Sequence, residues 1–453
     1  MHRVVIVGGG FAGLYATRAL RPRLGRPSPV AVTLVDRAEH HLFSPLLYQC
    51  ATGILSEGQI APPLRHVLKR QHNVECLLAE VVDIDVDARL VRAERPGGDP
   101  LELPYDDLIV AAGAQQSYFG HDEFARWAPG MKTIDDALEI RRRVFGAFEL
   151  AETARDPMQR RRFLTFALVG AGPTGVELAG QLRELATHTL RAEFRQIRPE
   201  DARVLLFDGG QAPLAAFGTV LSGKATSALR ALGVELHLGS IVTQVDADGL
   251  LVREPTGVIR YEAGTVLWTA GVVATPLAAT LAARTGARRD RSGRILVDPN
   301  LTIPGYPEIS VVGDLMCLQD LPAMAEVALQ SGRYAARRIR HRVAGDTVIR
   351  PFRYHDFGSA AYISRGRAVV SAGPLHIEGF LGWLAWLVIH IGFLTGFRNR
   401  VGALLTWGVT FTRELRRERA FSTHQIDVRS EGYSSRPGRT GPGTTSAPQN
   451  PAT

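Results

Sequence analysis

The chain has 453 residues, 45% of them apolar and 22% charged, the balance of an ordinary globular protein with two or three domains. Its formal charge of +8 comes from arginine, since Lys69, Lys132 and Lys224 are the only lysines, and the arginines are spread along the whole chain. That spread, with no RNP, helix-turn-helix or zinc-finger pattern, argues against a dedicated nucleic-acid face. Cys50, Cys76 and Cys317 stand at no C-x-x-C or C-x4-C spacing, which argues against a disulfide framework and a cysteine metal site.

The chain opens Met1-His2-Arg3 with no signal peptide, so the catalytic part is expected to face the cytoplasm. Val4–Val7 then reads as a buried strand, followed by a glycine turn, a helix from Phe11 to Leu20 and a second strand, Ala31–Val35. The turn is Gly8-Gly9-Gly10-Phe11-Ala12-Gly13, with glycines at the G-x-G-x-x-G positions. Gly8 permits the tight bend, Gly10 admits a pyrophosphate close to the backbone, and Gly13 lets helix and strand pack closely. The helix start then offers free N–H groups to the diphosphate, and Asp36 ends the second strand, placed to accept ribose hydroxyls. Strand, turn, helix and downstream acid together weigh against a merely flexible loop.

The same order returns at Phe166–Val169, with the turn Gly170-Ala171-Gly172-Pro173-Thr174-Gly175, a helix from about Pro173 to Thr187, and the strand Val204–Phe207 ending at Asp208. An acid there suits the free 2′-hydroxyl of NADH, and Gly209-Gly210-Gln211 follow where an NADPH site more often carries arginine. Two such units predict an α/β protein with two Rossmann-like domains. The expected division is a discontinuous FAD domain (1–120 and 290–375), an inserted NADH domain (121–289), C-terminal membrane-association helices (376–428) and a disordered tail (429–453). Ile309-Ser310-Val311-Val312-Gly313-Asp314 resembles the second FAD signature of the two-dinucleotide flavoproteins, whose aspartate binds the ribityl and phosphate part of FAD. It belongs with the N-terminal sheet, so the first turn holds FAD and the inserted unit holds NADH.

Flavin supplies hydride chemistry and needs an exit for its electrons. With Cys50 alone and read as a small buried hydrophobe, no cysteine pair can take them, so the acceptor is external. The stretch His40-His41-Leu42-Phe43-Ser44-Pro45-Leu46-Leu47-Tyr48-Gln49, continuing through Ala51–Leu55, resembles the type II NADH dehydrogenases. So do Leu108–Ala114, Gly172–Gly180 and Leu267–Val272, and the likeness covers residues 1 to about 425. It implies a monotopic, FAD-dependent enzyme at the cytoplasmic face of the membrane that oxidises NADH and reduces a membrane quinone without pumping protons. It places Gly8, Gly9, Gly10, Phe11, Ala12, Gly13, Asp36, Arg37, Val81, Ala112, Gly113, Asp314, Ala325 and Glu326 around FAD. Gly170, Gly172, Thr174, Gly175, Asp208, Ala270 and Gly271 go around NADH, and Glu326 and Gln330 near the quinone. Glu177 matches a family glutamate at the flavin–nicotinamide junction and is the catalytic candidate, set against its plain reading as a first-turn acid. No metal is expected. Two departures bear on the acceptor: Glu326 stands where the family has glutamine, and Phe357 where relatives have lysine.

Gly379–Phe397 is almost continuously apolar, and as one helix it would be about 28 Å long, nearly a bilayer core. A spanning helix would put Arg398, Arg400, Arg413, Arg416, Arg417 and Arg419 outside, against the positive-inside bias. A helix lying in the interface avoids the conflict. It would offer Phe380, Trp383, Leu387, Ile391 and Leu394 to lipid, with Val401–Thr412 alongside and the later arginines on anionic headgroups. A soluble reading, in which the stretch is a buried helix of a homodimer, stays open. So do two other functions: an NADH-dependent reductase of a soluble electron carrier, and a slow-turnover redox sensor.

Overall fold

His2–Val7 is apolar on both faces from Val4 onward, and such a strand must be covered on both sides. It sits inside a six-stranded sheet with the order Thr302–Ile303, Tyr306–Val311, Asp107–Val110, His2–Val7, Val30–Asp36, Val74–Leu78. All pairings are parallel except that of Thr302–Ile303, added antiparallel at one edge. The structure, a computed structural model, describes residues 1–22, 28–346 and 350–426. The expected tail, 429–453, lies outside the described residues.

A second, four-stranded parallel sheet follows the same logic, in the order Val234–Leu238, Arg203–Asp208, Thr165–Val169, Thr265–Trp268. Each sheet has its own three-stranded antiparallel companion: Glu80–Asp85, Leu90–Glu94 and Pro100–Pro104 with the first, Ile241–Asp246, Gly249–Glu254 and Gly257–Glu262 with the second. The chain passes between the sheets along Ala114–Gln116 and returns along Val272–Ala274, and these two strands pair with each other as an antiparallel ribbon.

A third antiparallel sheet, Ser359–Ser364, Arg367–Ala372 and Leu375–Glu378, leans on the helix Pro173–Glu184. The approach is so close that a Cβ on Gly180 would land on the Ile363 carbonyl. The apolar C-terminal stretch is two helices, Gly379–Phe393 and Phe397–Arg413, and not one. They part at Gly396, whose φ of +95° ends the first and starts the second. No helix among the described residues is long and apolar enough to cross a membrane.

Both helices have one buried and one bare side. Gly382, Trp386 and His390 face inward, and Trp386 and Trp407 are among the largest fully buried side chains of the chain. The outward residues are Phe380, Leu381, Leu384 and Val388, then Phe397, Val401, Leu404, Leu405 and Val409. This corrects the expected face in part: Phe380 is on it, Trp383, Leu387 and Ile391 are half-buried, and Leu394 is fully buried. The expected arginine row is corrected as well. Arg413 and Arg417 are exposed, Arg419 pairs with Glu193 at 2.7 Å, and Arg416, only 4% exposed, runs into the protein.

Candidate active site

Both glycine turns are built by close approach. Gly8 has a φ of +102°, and a Cβ there would strike the Ala111 carbonyl; a Cβ on Gly13 would land on the Gly8 carbonyl. Gly170 and Gly175 repeat this, with a φ of +106° at Gly170 and the Gly170 carbonyl against Gly175. Gly10 and Gly172, each the first cap of its helix, carry no side-chain cap and have open space where a Cβ would stand. Each helix therefore presents unpaired N–H groups to an open region, where an anion is stabilised.

The two strand-end acids do matching work. Asp36 accepts the Gly9 N–H on one carboxylate oxygen and the Ala38 N–H on the other, at 2.7 Å. Asp208 accepts the Ala171 N–H and the Gly210 N–H, both at 2.6 Å. Each carboxylate clamps its own turn to its own strand, and each oxygen keeps a lone pair for a further donor. Burial pushes the Asp36 carboxyl up, and the two N–H groups oppose it.

A cavity of about 400 Å³ joins the parts. From the set expected around FAD it is lined by Gly10, Phe11, Ala12, Gly113, Asp314 and Ala325, and from the nucleotide side by Thr174 and Glu177. Gly8, Gly9, Gly13 and Asp36 lie behind it in the first turn, with Ala112 against Gly8, and Gly170, Gly172, Gly175 and Asp208 form the second. Ala270 and Gly271 are held by the Gln116 side-chain amide, which donates to their carbonyls at 2.6 and 2.8 Å. Arg37 is exposed beside Asp36, and Val81 packs against the core of the first sheet; neither lines the cavity. Glu326 and Gln330 share a different helical face from Ala325 and Ala328. The Tyr354 hydroxyl reaches Glu326 at 3.4 Å, and Gln330 exchanges hydrogen bonds with the backbone of His355 at 2.8 and 3.0 Å. The two residues thus face the 354–357 segment and not the cavity.

Glu177 is buried on the cavity wall, and the Tyr362 N–H donates to its Oε1 at 3.2 Å. Burial pushes this carboxyl well up, and the one N–H only partly offsets it, so its proton is held more tightly than on an ordinary carboxylate. Burial also raises Asp314, with Lys132 acting against the shift, and lowers Lys132 itself. Burial raises Glu326 too, opposed by the Phe357 backbone and Tyr354.

Lys132 and His390 line the same cavity and were not reached from sequence; Tyr48, singled out only as part of the family-like segment, lines it too. The His390 ring stacks on Trp386 at 4.3 Å, and burial lowers its pKa to about 4. In the neutral ring Nδ1 must donate to the Trp386 carbonyl, 2.8 Å away, which leaves Nε2 an acceptor. Part of the segment that carried the resemblance, residues 42–48, lies between the glycine turn and these C-terminal helices: Phe11 meets Phe43 edge-on at 5.6 Å, and Phe43 meets His390 at 6.4 Å. Among the described residues no group of His, Cys, Asp and Glu could hold a metal ion.

Residues 2–332 match the pyridine nucleotide-disulphide oxidoreductase family. The chain is 47% identical over 432 residues to the type II NADH:quinone oxidoreductase Ndh of Mycobacterium tuberculosis, covering 95% of this chain and 92% of that protein. It is 48% identical to NdhA of the same organism, covering 94% and 91%. Among solved structures, NDH2 from Plasmodium falciparum in complex with NADH has the same fold, with a TM-score of 0.84 at 19% identity, covering 93% of this chain and 99% of that one.

Proposed function

The chain belongs to the pyridine nucleotide-disulphide oxidoreductase family and, within it, to the type II NADH:quinone oxidoreductases, and on that premise we propose how its residues divide the work. The enzyme passes two electrons from NADH to a quinone without pumping protons. In our reading FAD lies on the first glycine turn, with its diphosphate over Gly10 and its ribityl chain beside Asp314. NADH lies on the second turn, over Gly172, with Asp208 toward its ribose. The donor set fits a dinucleotide at each place: an uncapped helix start, open space where a Cβ would stand, and a strand-end acid. When bound, FAD accepts a hydride from NADH and passes the electrons on to the quinone.

The observation that carries this reading is the shared cavity. Gly10 and Asp314 from one unit, and Thr174 and Glu177 from the other, open into the same 400 Å³. Two-electron reduction of a quinone also consumes two protons. Glu177, whose carboxyl burial pushes up and which the Tyr362 N–H orients, is placed to hold and deliver a proton on the wall where the electrons leave. Lys132 sets a positive charge against Asp314 in that space. His390 and Tyr48 close the side next to the C-terminal helices, which makes that side the quinone entry.

We further propose that the bare apolar sides of Gly379–Phe393 and Phe397–Arg413 rest on the cytoplasmic face of the membrane, where a long-chain quinone is available. Val388 is 73% exposed and Phe397 83%, and covering a side chain of this size is worth about 1.5–3 kcal/mol. Anaerobic mixing tests the assignment. NADH is expected to bleach the flavin absorbance of the purified protein, and a quinone to restore it within one turnover. Restoration by a soluble electron-carrier protein and not by quinone would favour the carrier-reductase alternative.

A further inference from the structure

A second and larger opening, about 1100 Å³, lies outside the dinucleotide cavity. One wall is the end of the first-turn helix with Arg18 and Arg21. A second is the 66–71 segment with Lys69 and Arg70. A third is the start of the outer C-terminal helix, with Phe397, Arg398 and Asn399. Gln59 donates to the Thr406 hydroxyl at 3.0 Å and fixes that helix to the floor.

The charge in this groove is one-sided. Arg18, Arg21, Lys69, Arg70 and Arg398 line it, against the single carboxylate of Glu418. Among the described residues none of these five cations forms an ion pair. Arg18 is the innermost. Its guanidinium and that of Arg333 both lie over the Tyr15 ring, at 5.5 and 4.8 Å. Burial depresses its pKa, and Arg333 and Arg400 crowd it with like charge. Arg400 is itself tied to the Leu394 and Gly392 carbonyls, at 2.8 and 2.9 Å. Five cations without an ion-pair partner lining one groove favour a multiply accepting anion.

The rim supplies the second half of the argument. Phe397 is at once a lining residue of the groove and the first residue of the bare face that continues through Val401, Leu404 and Leu405. A ligand that satisfies both carries an anionic group at one end and hydrocarbon at the other. We propose that this groove is a binding site for the headgroup of an anionic phospholipid, with the phosphate between Arg18, Lys69, Arg70 and Arg398 and the acyl chains running out past Phe397. The proposal rests on the membrane-surface reading and adds to it the lipid class and the seat. Arg413 and Arg417, expected from sequence to meet the headgroups, lie at the other end of the helix and are not part of it.

The test uses the full chain with its flavin bound. Binding is measured to vesicles of phosphatidylcholine alone and to vesicles of phosphatidylcholine mixed with phosphatidylglycerol. The groove variant Lys69→Gln/Arg70→Gln/Arg398→Gln changes three exposed side chains. The control Arg191→Gln/Arg230→Gln/Arg253→Gln removes the same charge from exposed sites outside the groove. Unaltered flavin absorbance per protein shows that both are folded. The wild type is expected to prefer the mixed vesicles. The groove variant is expected to lose on the order of tenfold or more of that affinity, with neutral-vesicle binding unchanged, and the control to stay within about twofold of wild type. Equal losses in the two variants would reduce the effect to net charge and overturn the site. Equal wild-type binding to both vesicles would overturn the site and leave the membrane reading standing. Binding to neither would overturn the membrane reading itself.

Discussion

Arg416 and Glu184 meet inside the protein at 3.8 Å, although 232 positions separate them in sequence. Arg416 also donates to the Thr52 carbonyl at 3.1 Å and the Gln181 carbonyl at 3.3 Å. Glu184 accepts the Tyr362 hydroxyl at 2.9 Å, the Gln181 amide at 3.0 Å and the Arg365 N–H. The end of the C-terminal helices is thus pinned to the helix that carries Glu177.

Removing one partner of a buried pair strands the other charge, which costs about 3–5 kcal/mol. Arg416→Leu is therefore expected to lower the denaturation midpoint strongly, and Arg416→Leu/Glu184→Gln to recover part of the loss, since a neutral amide tolerates burial better. Chemical denaturation of the three proteins checks this. An Arg416→Leu protein as stable as wild type would show that the contact is peripheral to stability.

Asp208 at the second turn and Asp314 at the cavity side of the first unit predict separable failures. Asp208→Asn is expected to raise the KM for NADH by roughly tenfold to a hundredfold, the worth of a charge-assisted hydrogen bond, with flavin still bound. Asp314→Ala is expected to lower flavin content instead. Wild type is expected to prefer NADH to NADPH, since the Asp208 carboxylate repels a 2′-phosphate. Flavin content and steady-state kinetics read all three, and a reversed pattern for the two variants would exchange the two sites.

Glu177 is raised by burial, so its acid form dominates until the pH climbs through that raised pKa. If that acid supplies a proton to the reduced quinone, turnover falls as pH rises through the same range. Glu177→Gln is expected to be slower by about 10²–10⁴-fold and flat over that range, with the KM for NADH little changed. A variant with wild-type turnover would return Glu177 to a purely structural place.

Glu326 is also raised, by burial against the 354–357 segment. The shift moves its titration upward from the ordinary carboxylate value, so any dependence of quinone reduction on this group is displaced toward higher pH. Glu326→Gln is expected to remove that step and leave NADH oxidation with a small soluble acceptor unchanged. Identical pH profiles would make the residue a bystander, consistent with its position outside the cavity lining.

The bare face calls for variants on the outer side only, because Trp386 and Trp407 belong to the main core and deleting the helices would open it. Leu381→Gln/Val388→Gln/Leu405→Gln is expected to weaken vesicle binding and long-chain quinone reduction, and to leave short-chain quinone reduction near wild type. A full chain that forms a dimer in solution through this face, and ignores vesicles, would favour the dimer reading.

What was legible in the sequence is what is local. Gly8, Gly13 and Asp36, and their counterparts Gly170, Gly175 and Asp208, serve structures built within about forty residues, so spacing alone reveals them. Lys132 and His390 reach the cavity from a loop and a distant helix, and no periodicity announces either. The orientation of Gly379–Phe393 was hidden for another reason: nearly every side chain in it is apolar, so no polar stripe marks the solvent side. Arg416 looked like a surface charge because its partner, Glu184, lies far away in sequence.

The ribbon formed by Ala114–Gln116 and Val272–Ala274 brings the exit and re-entry of the intervening chain side by side, as close as two neighbouring strands of a sheet, about 4.7–4.9 Å apart. Roughly 150 residues therefore leave and rejoin at adjacent points, yet they are no detachable insert: Leu178 and Leu182 share one core with Tyr48, Tyr362 and Trp386, so the two units can only fold, and only unfold, together.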